Sequence, residues 1–309
     1  MSRPPIYVET FIHASLEAVW DATQDPARHR EWDLRFTEIE YLPKSNPSEA
    51  QGFLYATRIG FGLRIEGRGE SVTERIGTAG ERTSVLRFWS DDPKSLIRSG
   101  GGYWRYLPEA AGIRFLTLYS YEPRFGLLGA WVDRWLFRPL LGWATAWSFD
   151  CLRIAVERGV PARALWTQTI AASIARIVLA LIWIYQGLVP KLLFPDSGEE
   201  AILRGTGLFG GHEAVVLSIL GLLEIGFGVA LLRWADATRL LWLMIGGLLA
   251  LLGGAALGQP SLLVAPFNPI TLTLAMIGLA AIEVWLRRDP LPSAHHCLRQ
   301  PPRGARSLS

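Results

Sequence analysis

The chain has 309 residues, a hydrophobic content of 50%, a mean hydropathy of +0.22 and a formal net charge of +3 at neutral pH. The 21 basic residues of its first half are nearly matched there by 20 acidic ones, which argues against the one-sided basic surface that nucleic-acid binding requires. Cys151 and Cys297 lie too far apart in the sequence to form a disulfide framework or a zinc motif, so a reducing compartment is expected.

Charged side chains divide the chain into two chemically different parts. Residues 1–168 contain 41 of them, whereas residues 170–286 contain only 12. No apolar segment of signal-peptide length precedes Glu9, so the charged first part is expected to stay in the cytoplasm. The sequence therefore predicts four regions: a folded domain at 1–160, a linker at 161–168, a membrane domain at 169–288 and a disordered tail at 289–309.

The first part has the element pattern of an α+β domain. Apolar and polar residues alternate over Ile6–Ile12, which predicts a strand, and Ser15 is placed to cap a short helix that ends at Asp25-Pro26. The glycine run 100–102 is interpreted as a turn. Six further strands and a long closing helix are predicted at 36–42, 53–59, 63–74, 83–89, 103–108, 113–122 and 126–158.

The order of these elements resembles the SRPBCC superfamily, whose domains are also described as START-like or polyketide-cyclase-like. The resemblance extends over residues 5–158 and is carried by Ser-Leu-Glu-Ala-Val-Trp at 15–20, by Asp25-Pro26 and by Trp32-Asp33. It implies a helix-grip fold, in which a curved antiparallel sheet surrounds the C-terminal helix. An apolar ligand cavity is expected between the sheet and that helix.

Aromatic residues are dense in this part, and such rings suit a cavity for flat or apolar ligands. An arginine that faces inward would add a polar anchor, and Arg64, Arg87 and Arg105 occur among the rings. The alternative is that the rings fill a core and the arginines face solvent. The candidate cavity residues are Trp20, Trp32, Tyr55, Arg64, Phe88, Trp104, Tyr119 and Trp143.

Four apolar segments of 17 to 21 residues follow, at 169–189, 213–232, 239–258 and 270–286. Each can cross a hydrocarbon layer about 30 Å thick, so the sequence predicts an all-α bundle of four transmembrane helices. Basic residues concentrate on one side of these spans, which places both termini in the cytoplasm. They are Arg153, Arg158, Arg163, Arg233, Arg239, Arg287, Arg288 and Arg299.

Polar residues inside these segments form a second candidate site in the membrane. Counted from the cytoplasmic ends, Arg176 and Glu224 lie at similar depth, which makes them the preferred ion pair. The pair either orients helices or forms a binding or proton-handling site. Lys191 is also explained by snorkelling towards the interface. The candidate residues are Arg176, Gln186, Lys191, Glu224 and Glu283.

This part resembles the DoxX-like family of small four-helix membrane proteins over about 120 residues. The resemblance is carried by Gly-Leu-Val-Pro-Lys at 187–191, by Thr206-Gly207, by Gly-Leu-Leu-Glu at 221–224 and by Pro-Phe-Asn-Pro at 266–269. An Asn that often follows the last motif is replaced here by Thr271 and Thr273. The family name derives from a quinone-linked oxidoreductase subunit, but the resemblance assigns no reaction to this chain.

Signatures of catalysis are absent from the sequence. It has no Gly-x-Ser-x-Gly, His-Glu-x-x-His or Cys-x-x-Cys motif and no phosphate loop, so no catalytic residues and no metal site are assigned. His295-His296-Cys297 lies in the proline- and arginine-rich tail, where it is not expected to hold a metal.

Three hypotheses follow from these features. The first is a membrane-anchored module that binds a hydrophobic small molecule or lipid in the START-like cavity. The second is a quinone-linked redox accessory or enzyme subunit, and the third is an assembly subunit that contacts another membrane protein. All three place the chain in the inner, cytoplasmic membrane as a multi-pass protein, with the bilayer as a partner and no nucleic acid. No cofactor is assigned; quinone is the one that the second hypothesis would bring.

Overall fold

A computed structural model divides the chain into two compact units. The N-terminal unit comprises residues 1–166 together with 291–309, and the helical unit comprises residues 167–290. Each unit has its own hydrophobic cluster. The structure describes residues 4–44, 46, 49–60, 62–77, 80–205, 207–234, 238–258, 261, 264 and 268–301.

The N-terminal unit contains a seven-stranded sheet in which every pair of neighbouring strands is antiparallel. Its order is β1-β7-β6-β5-β4-β3-β2, so β1 closes against the last strand and the remainder forms a meander. The strands are β1 (Ile6–Ile12), β2 (Glu38–Tyr41), β3 (Gln51–Ile59), β4 (Leu63–Ile76), β5 (Arg82–Trp89), β6 (Ile97–Glu109) and β7 (Gly112–Pro123).

Four helices complete this unit: α1 (Leu16–Gln24), α2 (Pro26–Trp32), α3 (Gly126–Val132) and α4 (Arg138–Arg158), with one turn of π-helix between the last two. Ser15 caps α1 by accepting a hydrogen bond from the Ala18 amide, as its position predicts. Asp25 caps α2 and Pro26 occupies its first turn. Nearly every residue from Ala144 to Leu152 of α4 is buried, and this helix packs against the sheet, which confirms the helix-grip expectation.

The glycine run Gly100–Gly102 is not a turn, as the sequence interpretation had it, but the middle of β6. A Cβ atom on Gly100 would overlap the Phe88 ring, and one on Gly102 would overlap the Leu118 carbonyl. The glycines are therefore explained by the close approach of neighbouring strands and side chains within the sheet.

The prediction of a disordered tail at 289–309 is also corrected by the structure, because residues 291–301 pack on the N-terminal unit. Leu298 exchanges two backbone hydrogen bonds of 2.9 Å with Glu9 of β1. Nδ1 of His296 lies 2.8 Å from a carboxylate oxygen of Asp150, which also accepts from the Ser293 amide. Cys297 is buried and contacts the Ala146 carbonyl. Specific polar pairs hold this segment, and its composition alone did not indicate them.

The helical unit consists mainly of apolar helices: α5 (Ala162–Leu188), α6 (Glu199–Gly205), α7 (Glu213–Arg233), α8 (Thr238–Gly258) and α9 (Pro269–Leu286). A π-helical turn, Val189–Leu193, extends α5. Within the described residues, two helical segments are long and apolar enough to cross a membrane, Ala162–Leu193 and Glu213–Arg233. Thr238–Gly253 and Ile270–Leu286 are apolar but shorter. Thr206, Pro266 and Phe267 of the family motifs lie outside the described residues.

Candidate functional site

The N-terminal unit encloses a cavity of about 590 Å³ between its sheet and α4. A volume of this size falls in the range of pockets that hold small organic ligands. Strands β2 to β7 and the loops around α2 supply most of the wall, and α4 closes it with Leu140, Leu141, Trp143 and Ala144. The wall is predominantly apolar, with aromatic rings from several strands.

Five of the predicted cavity residues line this space, and three do not. Tyr55, Phe88, Trp104, Tyr119 and Trp143 all belong to the wall. Trp32 is instead a core residue whose indole donates to the Ala22 carbonyl at 2.9 Å. Trp20 packs on Tyr106 and lies beneath the guanidinium of Arg82.

Arg64 is the third predicted residue that the structure places elsewhere. Its guanidinium contacts Glu38 and Glu66 in a separate polar cleft of about 410 Å³. Because side chains alternate between the two faces of a strand, the neighbouring Ile65 lines the cavity in place of Arg64. Arg87 and Arg105, the other candidate anchors, pair with Glu70 and Glu81 and do not line the cavity.

The arginine buried in the cavity wall is Arg35, which the sequence interpretation missed; Arg58 and Lys94 also line the cavity, but their side chains are 66% and 52% exposed. Its Nε donates to one carboxylate oxygen of Asp33 at 2.8 Å and its Nη2 to the other at 2.6 Å, a bidentate pair. The Asp33 side chain is fully buried, and Nε2 of His29 lies 2.9 Å from the same carboxylate. Arg35 and His29 are in the cavity wall, and Asp33, which is not part of the wall, forms hydrogen bonds with both.

Local sequence explains how this pair forms. Asp33 is the C-cap residue of α2, one helical turn after His29, so the two side chains meet at i, i+4 spacing. Arg35 follows two residues later, in the segment Trp32-Asp33-Leu34-Arg35-Phe36, where apolar and charged residues alternate. That alternation of opposite charges between large apolar residues is the signal that could have identified the pair.

The ionisation of the pair follows from its surroundings. Burial by itself opposes ionisation of Asp33, but the charge and hydrogen bonds of Arg35 and the hydrogen bond of His29 outweigh it and hold its pKa well below the usual range. Burial likewise disfavours the guanidinium, yet Asp33 raises the pKa of Arg35. Both groups are therefore charged at neutral pH, and the cavity presents a cation in a mainly apolar wall.

Two tyrosine hydroxyls add neutral hydrogen-bonding groups to the wall. Burial raises the pKa of Tyr55 to about 12. Burial also raises the pKa of Tyr119, although Arg35 lowers it in part. The Tyr119 hydroxyl lies 2.8 Å from the hydroxyl of Thr145, and Arg35 lies over the Tyr119 ring. The chemistry available in the cavity is binding through apolar contact and hydrogen bonding.

In the helical unit, the polar residues that were predicted to form one membrane site lie in two separate clusters. In the first, Glu283 of α9 is fully buried and accepts from Arg176 of α5 at 2.7 Å and from Arg287 at 2.9 Å. Arg176 also donates to the Trp234 carbonyl. In the second, Lys191 lies 3.0 Å from Glu224 and 2.8 Å from Glu199.

The predicted Arg176–Glu224 pair is therefore wrong. Helices α5 and α7 are in close contact where Gly187 meets Gly221 and where Gly228 meets Ala180. This antiparallel register places residue 184 opposite Glu224, and Arg176 lies eight residues away, about 12 Å along the helix axis. Counting depth from predicted span ends could not detect that offset. Gln186 contributes its backbone carbonyl, which accepts from Lys191 at 3.2 Å.

Among the described residues, no group of three or more His, Cys, Asp or Glu side chains is arranged to hold a metal ion. Cys151 and Cys297 are buried free thiols, and burial raises the pKa of each to about 12.

Comparison with known proteins associates the chain with membrane proteins. A model of the DoxX-like family matches residues 180–281. The uncharacterized membrane protein YndG of Bacillus subtilis is 46% identical over 226 residues, which are 73% of this chain and 79% of YndG. Since neither unit reaches 226 residues, that alignment includes parts of both.

Solved structures with a similar fold match the N-terminal half. A STAR-related lipid transfer protein from Xanthomonas axonopodis is 16% identical, with 48% of this chain and 84% of that chain covered and a TM-score of 0.38. Human StAR-related lipid transfer protein 5 is also 16% identical, with 49% and 74% covered and a TM-score of 0.37.

Proposed function

The chain belongs to the same family as the membrane protein YndG and contains a DoxX-like domain at 180–281, and from this premise we propose that its START-like domain binds a hydrophobic small molecule or lipid. The observation that carries the proposal is the cavity of about 590 Å³, with a mainly apolar wall that includes the buried guanidinium of Arg35. Apolar contact would supply most of the affinity, and Arg35 would orient an acceptor group of the ligand.

Attachment to the membrane gives such a module a direct source of ligand. Apolar molecules partition into the bilayer, and a binding domain fused to membrane helices stays at high effective concentration relative to them.

The proposed topology has four spans in the inner membrane with both termini in the cytoplasm. The basic residues that precede the first apolar segment, Arg153, Arg158 and Arg163, support that orientation. Reporter fusions at each terminus would test it.

The ligand proposal is tested by filling the cavity. Ala144 faces the cavity from α4, so Ala144→Phe places a ring in the space that the ligand would occupy. Ala18 lies on the exposed face of α1, and Ala18→Phe is the matched control. Each full-length protein would be extracted in mild detergent and examined by native mass spectrometry.

The expected result is one hydrophobic molecule retained by the wild type and by Ala18→Phe, and lost from Ala144→Phe. Lipids bound to the membrane helices would be present in all three proteins and so are distinguished from a cavity ligand. If all three carry the same set of molecules, or none, the cavity does not bind a retained ligand and the proposal fails.

The Lys191 cluster favours a second candidate function, a quinone-linked redox accessory. A lysine held between Glu199 and Glu224 next to apolar helices could bind the carbonyl oxygen of a quinone or exchange a proton with it. Titration with a short-chain ubiquinone analogue should give weaker binding to Glu224→Gln than to wild type. The control is Glu200→Gln, whose carboxylate pairs with Arg204 on α6. Equal binding by both variants would reject this function.

A further inference from the structure

The segment that joins β7 to α4 carries a large exposed apolar surface. It comprises α3 and the π-helical turn Asp133–Phe137. Five of its side chains are more than 60% exposed: Leu127 (91%), Leu128 (71%), Trp131 (63%), Trp135 (66%) and Leu136 (64%). Contiguous apolar patches of this kind on a folded domain usually mark an interaction site.

These side chains form one face because of their spacing. Leu127, Trp131 and Trp135 follow each other at intervals of four residues, with Leu128 and Leu136 beside them. Four-residue spacing keeps side chains on the same side of an α-helix, and the wider π-helical turn keeps the last of them in line. The outer face of the segment is therefore mainly apolar, with Arg134 as its exposed charged residue.

The inner face holds the segment firmly to the domain. Asp133 is fully buried, accepts from the Tyr121 hydroxyl at 2.5 Å and accepts from Nε of Arg138 at 3.2 Å. Gly129 packs so closely on the Arg124 carbonyl that a Cβ atom would overlap it. The backbone that carries the exposed rings is therefore held against the domain by buried contacts and is not a frayed chain end.

The residue types favour a lipid surface over a protein partner. Two tryptophans with leucines and an arginine are the composition of helices that lie in the membrane interface, where an indole is half wet and half apolar. The segment 125–137 has two charged residues, the buried Asp133 and the exposed Arg134, so its accessible charge is basic. Arg134 lies over the Trp135 ring and could contact anionic headgroups.

We propose that the apolar face of residues 126–137 docks the START-like domain onto the surface of the lipid bilayer. The domain is covalently joined to a membrane domain, so even a modest affinity for lipid is sufficient for contact. This inference goes beyond the proposed function, because docking does not require the cavity to be occupied. It would nevertheless put a wall of the cavity close to lipid, since Phe137, the last residue of the segment, and Leu140 and Trp143, which follow it, line the cavity.

The test measures whether lipid, water or protein surrounds the segment in the full chain. A spin label on Leu128→Cys is compared with one on Ile76→Cys, an apolar residue at the end of β4 that is 70% exposed and therefore matched to Leu128. The native cysteines are buried, and their replacement by alanine leaves the introduced thiol as the only target. The protein is reconstituted in vesicles of phosphatidylcholine and phosphatidylglycerol.

Collision with oxygen, which concentrates in lipid, and with a water-soluble nickel chelate distinguishes the surroundings. We expect the ratio of oxygen to nickel collisions to be several-fold higher at position 128 than at position 76. Equal ratios would show that the segment faces water, and protection from both reagents would show that protein covers it, from this chain or from a second copy. Either result would overturn the proposal.

The same samples separate this proposal from the ligand proposal. Ala144→Phe should empty the cavity without changing the collision ratio at position 128. A normal ligand content with a water-exposed label would reject docking alone, whereas a lipid-exposed label with an empty wild-type cavity would reject ligand binding alone.

Discussion

The START-like domain and the membrane domain each bury a carboxylate beside arginine, but they assemble the pair differently. Asp33 and Arg35 are two residues apart, so a single short segment of the chain carries both partners. Glu283 and Arg176 are 107 residues apart on different helices, so they meet only when the membrane helices have associated.

The difference bears on function. A local pair can be formed in advance and presented to a cavity, which is where Arg35 lies. A long-range pair instead connects α5 to α9, and a second arginine, Arg287, contacts the same carboxylate. We therefore expect the first pair to affect ligand binding and domain stability, and the second to affect helix association.

The largest effect is expected from breaking the local pair. Arg35→Met leaves the Asp33 carboxylate buried without its cation, which is expected to lower the free energy of unfolding of the domain by about 3 to 5 kcal/mol. Arg64→Met is the control, because its pairs with Glu38 and Glu66 are largely exposed and exposed pairs contribute about 1 kcal/mol or less. Urea unfolding followed by tryptophan fluorescence suits this test, since 9 of the 13 tryptophans precede residue 167.

The two variants also test the ion-pair explanation against a simple packing explanation. If the ion pair is the cause, Arg35→Met is several-fold more damaging than Arg64→Met. Equal losses would mean that Asp33 keeps adequate hydrogen bonds from His29 and water without Arg35.

Lowering the pH should reduce the difference in unfolding free energy between the wild type and Arg35→Met. In the wild type the pKa of Asp33 is depressed in the folded state, so its contribution to stability is complete above the unfolded value of about 3.9 and is lost as the pH falls below it. In Arg35→Met the buried carboxylate lacks its cation and is expected to take up a proton at higher pH, which relieves its penalty. The unfolding free energies of the two proteins should therefore converge between pH 7 and pH 4. Parallel curves over this range would contradict an electrostatic origin.

The long-range pair should show a smaller effect on stability. Glu283→Gln removes the charge between Arg176 and Arg287 while it keeps a hydrogen-bond acceptor of similar size. Polar pairs between membrane helices typically contribute only about 0.5 to 2 kcal/mol, because the separated helices find other partners. Glu283→Gln should therefore lower the resistance of the full chain to unfolding in mixed micelles by about that amount. Glu200→Gln on α6 is the control. If both variants resist unfolding equally, Glu283 does not stabilise the association of α5 with α9.

How much of this was predictable depends on the range of each interaction. Period-two alternation located β1, and the Ser15 cap located α1, because both signals are local. Arg64 was assigned to the wrong face, because strand register is set by the pairing of Arg64 with Arg58 across β3 and β4, which the sequence does not state. Arg35 was missed because it lies between elements, where no periodicity draws attention to it.

Long-range pairing was beyond the reach of the sequence in the membrane part as well. The register of α5 against α7 depends on glycines that touch each other, Gly187 with Gly221, and only their spatial contact moves Glu224 away from Arg176. The tail shows the same limit. His296 and Cys297 lack any periodic pattern, yet both pack on the N-terminal unit.

The tail offers the smallest of the expected effects and a close internal control. His295 and His296 are both exposed, but only His296, among the described residues, lies within hydrogen-bond distance of the buried carboxylate of Asp150, at 2.8 Å. His296→Ala removes one contact to a carboxylate that keeps the Ser293 amide and Arg153, so we expect a loss of about 1 kcal/mol. His295→Ala should change the stability by less than about half that amount. The measurement is hydrogen exchange of β1, since the amide of Glu9 donates to Leu298 of the same segment. Faster exchange at Glu9 in His296→Ala than in His295→Ala would establish that the tail stabilises the edge of the sheet. Identical exchange in the two variants would show that the His296 contact does not stabilise β1.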